Sequence, residues 1–477
     1  MGSFYWYDLE TFGRSPRQSR IAQFAGLRTD ENLDPVGEPL VLFCRPADDL
    51  LPSPGATLVT GITPQQALRE GLREAEFVAR LHDELVQPGT CAVGYNSLRF
   101  DDEFIRHALY RNFFDPYERE WRNGNSRWDL LDLMRLAFAL RPDGMEWPRR
   151  EDGAPSFKLE HLTAANGIAH GQAHDALSDV QALVGLARKL RAAQPRLWDY
   201  YLGLRDKRRA AALVDAVGQI PFLHISGKYP ATRGCAALVV PVAPHPSIPH
   251  RVIVFDLDSE PDALIDLSAE DIADRLYTPT ADLPEGESRI PLKEIHLNRS
   301  PAIVPLEYLR DADFARLGID REACLARAEL IRRADGLAEK VRRVYARPPR
   351  EAANDVDAAL YDGFPDDGDR RLFVKVRTTP PEALGQVPFP FVDPRYTELL
   401  FRYRARNWPD TLTPDERARW DEYRRRRLST DLGLSEHTFD SYFAEIAELR
   451  AASPDDGRVQ TLMDALQSWG LDLQRSL

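Results

Sequence analysis

The sequence predicts an α/β layered domain over roughly residues 1–185, then a small β-structured region, then a helical C-terminal part. Three observations predict it. Residues 3–9 set apolar and aromatic side chains on both faces, as a central strand buried on two sides requires. Strand and helix signals then alternate as far as residue 190, the pattern of layered α/β structure. After Pro195 short β-rich runs alternate with Pro-rich turns, and beyond a Pro- and Asp-rich stretch at 347–370 the chain reads mainly as amphipathic helices.

Further strands are expected at 21–27, 40–44 and 90–94. Thr63-Pro64 opens a helix, with Thr63 as cap and Pro64 at the first helical position, where no N–H is missed. Tyr95-Asn96 leads into a helix over about 101–112. Residues 141–155, rich in Pro, Gly and charge, read as a surface insertion, and a helix over 175–190 closes the first domain. The β-rich runs fall at 222–226, 236–242, 251–256 and 295–297.

A chain of 477 residues exceeds one ordinary core, so two or three domains are expected. Its 62 basic and 75 acidic side chains leave a net charge of −13, which excludes a general DNA coat but not a nucleic-acid substrate. Nine arginines against five acids lie between Phe401 and Thr430, a local positive field or simply a solvated helix face. The four cysteines form no CxxC pair, which argues against a zinc module or disulfide framework and for a reducing cytoplasmic setting. No signal peptide is read at the N-terminus, and the longest apolar runs, such as 236–242, are far too short to span a membrane.

Five residues carry the chemistry. Asp8 and Glu10 lie two apart at the end of the first strand, so both side chains leave one face. Two carboxylates at the edge of a core repel each other and are costly to desolvate, and a divalent cation removes both problems. The bland alternative is two solvated acids just past a strand end. Asp101 starts a helix, where an aspartate also serves as an ordinary N-cap. Asp179 sits within the apolar stripe of Leu183, Leu186 and Leu190, a place charge rarely occupies without a partner. His174, on the loop entering that helix, is a candidate general base, although a lone histidine is more often a surface residue. Four hard oxygen ligands suit Mg²⁺ or Mn²⁺, and two such ions serve phosphodiester hydrolysis. There is no GxxxxGK[ST] loop, GxSxG elbow or HExxH pair.

The ordered set Asp-x-Glu, Asp, His-x4-Asp resembles the DEDD superfamily of 3′→5′ exonucleases, in its histidine-bearing subgroup. The likeness to one bacterial branch extends over essentially the whole chain. It rests on Tyr7-Asp8-Leu9-Glu10-Thr11-Phe12-Gly13, Gly94-Tyr95-Asn96 with Arg99-Phe100-Asp101-Asp102-Glu103, Leu159-Glu160-His161-Leu162-Thr163, Ala173-His174-Asp175-Ala176 and Tyr403-Arg404-Ala405-Arg406-Asn407. The resemblance implies an RNase H-like exonuclease domain at 1–190, an SH3-like α+β domain at 195–348 and a C-terminal helical domain at 351–477, together C-shaped. It implies processive removal of 5′-mononucleotides from the 3′ end of single-stranded DNA, with two Mg²⁺ ions, in repair and recombination. It also implies docking of the C-terminal tail of single-stranded DNA-binding protein, and the chain is expected to be a monomer.

By position, the family's metal ligands fall on Asp8, Glu10, Asp101 and Asp179, and its catalytic histidine on His174. Its substrate contacts fall on Glu10, Arg106, Tyr117, Trp121, Arg135, Arg141 and Lys158. At Lys158 the family carries an arginine, so the charge is kept and the bidentate fork is lost. Independently of the family, Tyr117, Trp121 and Trp128 interleave with Arg119, Arg122 and Arg127, a pattern that suits base stacking along a cationic track or ordinary core aromatics. Two rivals remain from the residues alone: the same chemistry on RNA, which five catalytic groups cannot distinguish, and a silent nucleic-acid scaffold, whose expected missing ligand is not found.

Overall fold

The computed structural model describes residues 2–171, 175–346 and 352–477, so His174 lies outside the described residues. They form two compact units, one of residues 1–126, 170–181 and 351–477, the other of 127–169 and 182–350.

The first unit is built on β1 (Ser3–Thr11), β2 (Ile21–Thr29), β3 (Leu40–Phe43) and β4 (Thr90–Gly94), side by side as β3-β2-β1-β4. Strand β1 runs antiparallel to β2 and parallel to β4, with Tyr7 opposite Gly26 and Phe4 opposite Cys91. It is central and almost wholly buried, as its two-faced apolar pattern predicts. Tyr5, Tyr7 and Leu9 pack on Phe104, Ile105, Ala108 and Leu109 of the helix Asp101–Arg111, and on Phe77, Val78 and Leu81 of the helix Glu74–Leu85. Thr63 caps its helix by accepting the Gln66 N–H at 3.2 Å, with Pro64 first in the helix.

Helices of the C-terminal part complete this unit. Phe373, Val376, Tyr396 and Leu399 join Tyr110 and Phe113 in one apolar cluster. The arginine-rich stretch 401–430 is a solvated face only in part, at Arg419, Arg425 and Arg426. Arg402, Arg404, Arg406, Arg424 and Arg427 are buried and ion-paired, chiefly to Asp49, Asp355, Asp357 and Glu416. The chain enters the second unit within β5 (Ser126–Asp129) and again within the helix Ala176–Ala193.

The second unit holds an antiparallel sheet in the order β10-β6-β7-β8-β9, made of β6 (Phe222–Ile225), β7 (Ala236–Pro244), β8 (Arg251–Asp256), β9 (Leu292–His296) and β10 (Ala302–Pro305). Strand β9 starts three residues before the expected run, because Lys293 and Glu294 mask its periodicity. Strand β10, four buried residues that end on a proline, carries too short a pattern to be read from sequence. Residues 141–155 contain no helix or strand beyond an isolated bridge from Arg149 to Pro155, consistent with an insertion.

Candidate active site

The carboxylates gather at the C-terminal end of β1. Asp8 and Glu10 share the face opposite Tyr7 and Leu9. Asp179 approaches from the first turn of the helix Ala176–Ala193, and one oxygen from each of these three acids lies within 4.8 Å of the others. Asp101 belongs to the same electrostatic group. It is the first residue of its helix, and Phe100 takes the capping position, so capping does not account for this aspartate. The parallel β1–β4 pair explains the meeting, since β4 delivers the chain to Asp101 on the edge where β1 ends.

This crowding has a cost. Burial, and then Asp101, Glu10 and Asp179, hold the Asp8 carboxyl well above the usual carboxylate range. Burial, followed by Asp179 and Asp101, pushes Glu10 up to about 8. A cation among them reverses both penalties, and the ligand atoms are all oxygens, the set that hard divalent ions prefer. The residues present therefore fit such an ion.

The structure also brings in a residue that the sequence reading missed. His170 Nε2 contacts the Asp179 carboxylate, whereas the sequence pointed to His174, which lies outside the described residues. Asp102, the neighbour of Asp101, is structural. It is fully buried, accepts the Tyr7 hydroxyl at 2.7 Å and pairs with Arg119 at 2.5 Å.

The expected substrate contacts separate into distinct environments. In the first unit Arg106 is buried, bonded to Glu103 and Glu120 at 2.8 and 2.7 Å, with its guanidinium over the Tyr117 ring. Trp121 is 66% exposed. Phe364, 77% exposed, meets Tyr117 edge-on at 5.7 Å between ring centroids, an open aromatic that no sequence pattern singled out. In the second unit Arg135 pairs with Asp132 at 2.9 Å, and Arg141 with Asp313 at 3.2 Å. Lys158 is 69% exposed, 3.7 Å from Glu160. Two members of the expected stacking track are not available to bases. Trp128 is fully buried against Trp198 and Tyr201, and Arg119 is the buried partner of Asp102.

A sheet that ends in converging acids, with a helix bringing a further aspartate, defines a nuclease-type domain, and the Exonuclease family matches residues 5–187. The Exonuclease I SH3-like domain matches 205–347, and the Exonuclease I C-terminal domain matches 354–473. The chain belongs to the exonuclease I family. It is 43% identical over 472 residues to exodeoxyribonuclease I of Escherichia coli (strain K12), covering 99% of this chain and 98% of that one. Among solved structures, a moderately thermophilic exonuclease I from Methylocaldum szegediense is 49% identical with a TM-score of 0.95, covering 99% of this chain and all of that one. The zinc-ion-bound form of the E. coli enzyme with single-stranded DNA is 43% identical, TM-score 0.95, with 99% of each chain covered. A structure of SSB/exonuclease I with an inhibitor is 42% identical, TM-score 0.91, covering 99% and 100%.

Proposed function

We propose that this protein hydrolyses single-stranded DNA from its 3′ end to 5′-mononucleotides, processively and with Mg²⁺, in repair and recombination. The observation that carries the reading is the convergence of Asp8, Glu10 and Asp179 to within 4.8 Å, on a chain that matches exonuclease I throughout. Asp8, Glu10, Asp101 and Asp179 would hold two Mg²⁺ ions, with Mn²⁺ as a substitute. Bound there, the ions would supply charge for the attacking water and the leaving 3′-oxygen. His174 is assigned as the base that takes a proton from that water, on its match to the family motif. Its separation from the carboxylates lies outside the described residues.

Lys158 is assigned as a phosphate contact and Arg135 and Arg141 as further DNA contacts, with Arg106 holding Tyr117, and Trp121 offers a face for stacking a base. Phe364 extends that aromatic surface beside Tyr117. The domain bounds 1–190, 195–348 and 351–477 are supported by the three family matches. The C-terminal tail of single-stranded DNA-binding protein is proposed to dock in a cleft of about 300 Å³ lined by Arg141, Arg196, Leu197, Tyr200, Val304 and Tyr308. Two guanidinium groups there suit a terminal carboxylate, and the apolar wall suits the residue before it. A monomer in the cytoplasm completes the reading. Among the described residues no helix is long and apolar enough to cross a membrane.

The deciding assay incubates 5′-labelled single-stranded DNA, duplex DNA and RNA with Mg²⁺ or EDTA. Single-stranded DNA should shorten from its 3′ end with Mg²⁺ only, and Asp8→Ala or Asp179→Ala should silence it. Shortening of RNA alone, or a near-normal rate in either variant, rejects the assignment.

A further inference from the structure

Two residues after Glu10 the chain leaves β1 for the 12–20 loop, whose ends are joined by the Phe12 N–H donating to the Arg20 carbonyl at 2.9 Å. The β1–β2 register slips between Glu10 and Thr11, so the regular ladder stops beside that carboxylate. The loop's internal bonds are short-range: the Thr11 hydroxyl donates to the Gly13 carbonyl at 2.7 Å, and the Gln18 and Ser19 N–H groups to the Ser15 carbonyl at 3.1 and 2.8 Å, while the Ser53 N–H donates to the Phe12 carbonyl at 2.7 Å at the loop's start. None of these bonds fixes the Arg14–Ser15 tip of the loop to the rest of the chain.

That support comes from the far end of the sequence. The Glu436 carboxylate accepts the Arg14 N–H at 3.1 Å and also the Ser15 N–H. Two successive backbone N–H groups converging on one carboxylate form a compact anion nest, with charge-assisted bonds stronger than neutral ones. Gly13 makes room for it. A Cβ there would lie 2.7 Å from Glu436 Cδ and 2.7 Å from Ser19 Oγ, so any side chain would push the carboxylate out. The other limb of the loop is tied down nearby. Gln18 Nε2 donates to the Gly433 carbonyl at 2.8 Å, and Arg427 Nη2 to the Gln18 carbonyl at 2.7 Å.

We propose that Glu436 is a positioning residue for the nuclease reaction: through the Arg14 and Ser15 amides it fixes the 12–20 loop and, through the loop, the placement of Glu10. The role assigned to its carboxylate is to hold the two loop amides, not to act on the substrate. This rests on the reading of Asp8 and Glu10 as the catalytic centre, and it makes turnover depend on a residue 426 positions from Glu10.

The test measures amide hydrogen exchange and hydrolysis of saturating single-stranded DNA in the full chain, for wild type, Glu436→Ala, Glu436→Gln, Gly13→Ala and Asp8→Ala. Glu436→Ala should speed exchange at Arg14 and Ser15 about 10-fold or more. It should lower kcat by about 10- to 100-fold, because small misplacements of reacting groups are that costly, with little change in KM or melting temperature. Glu436→Gln, which keeps one accepting oxygen, should recover part of the rate, and Gly13→Ala should mimic the loss even if Glu436→Ala does not fold. Unchanged exchange at both amides, or a wild-type kcat in Glu436→Ala beside a silent Asp8→Ala, overturns the positioning role alone. Activity in Asp8→Ala overturns the underlying site as well.

Discussion

The Tyr7 hydroxyl donates to Asp102 Oδ1 at 2.7 Å, and this one bond joins the neighbours of two candidate catalytic acids. Tyr7 precedes Asp8 on β1, and Asp102 follows Asp101 on the helix Asp101–Arg111. Arg119 binds the same oxygen, so Asp102 remains paired when the hydroxyl is removed. Tyr7→Phe should therefore fold, lose about 1–2 kcal/mol of stability and slow hydrolysis several-fold through a looser Asp8–Asp101 spacing. Urea unfolding and single-turnover rates check this. An unchanged rate at reduced stability would leave the bond a merely structural one.

The raised acids make metal loading pH-dependent. Glu10, pushed up to about 8, holds a proton near neutrality in the metal-free protein, and burial with the neighbouring acids shifts Asp8 in the same direction. The folded state then binds more protons than the unfolded one between about pH 4.5 and 8, so metal-free stability should fall as pH rises through that window. Bound Mn²⁺ must displace these protons. Calorimetry at pH 6.5 in buffers of different ionisation enthalpy should show proton release, shrinking as pH rises through about 8. Loading without proton release at pH 6.5 would show that these acids are already ionised.

His174→Ala should lower the hydrolysis rate by roughly 10²–10⁴-fold while leaving DNA binding intact, as removal of a general base does. His170→Ala is the control, because His170 contacts Asp179. A near-wild-type rate in His174→Ala together with a collapsed one in His170→Ala would transfer the role of base to His170.

Local patterning made much of this protein legible. The two-faced apolar run of β1, the cap at Thr63 and the in-stripe Asp179 are short-range signals, and each element stands within a few residues of where they put it. Partners distant in sequence were not legible. Arg119 beside Tyr117 looks like a cation on a stacking track until the fold sets it against Asp102, and Trp128 looks the same until it meets Trp198. His170 lies nine residues before Asp179, a spacing that is no helical or strand repeat, so nothing local marked the pair.

Exposure separates two expected DNA contacts. Lys158 is open to solvent, a point charge suited to phosphate, while the exposed Trp121 offers a ring face. Lys158→Ala should weaken single-strand affinity and reduce the salt slope by about one, whereas Trp121→Ala should cost about 1–3 kcal/mol with the slope unchanged. Affinity titrations from 50 to 300 mM salt, a range chosen to span roughly the Debye lengths of interest, check both. Equal slopes in Lys158→Ala and wild type would remove Lys158 from the phosphate contacts.

Asp357 tests what the buried arginines do. Its carboxylate is essentially inaccessible and accepts Arg406 Nη1 at 2.9 Å and Arg402 Nη1 at 3.3 Å, with Arg20 3.7 Å away. Burial alone would raise its pKa, yet Arg406 and Arg402 hold it well below the usual range. Asp357→Ala leaves those guanidinium groups buried without their anion and should cost about 3–5 kcal/mol. A depressed carboxylate contributes stability above its unfolded pKa and loses it as pH falls, so wild type should weaken below about pH 4 and Asp357→Ala should weaken less steeply there. Urea titrations at pH 7 and at about pH 3 measure both differences. A loss under 1 kcal/mol at pH 7 would mean that Arg406 and Arg402 are stabilised by Asp49 and Asp355 instead.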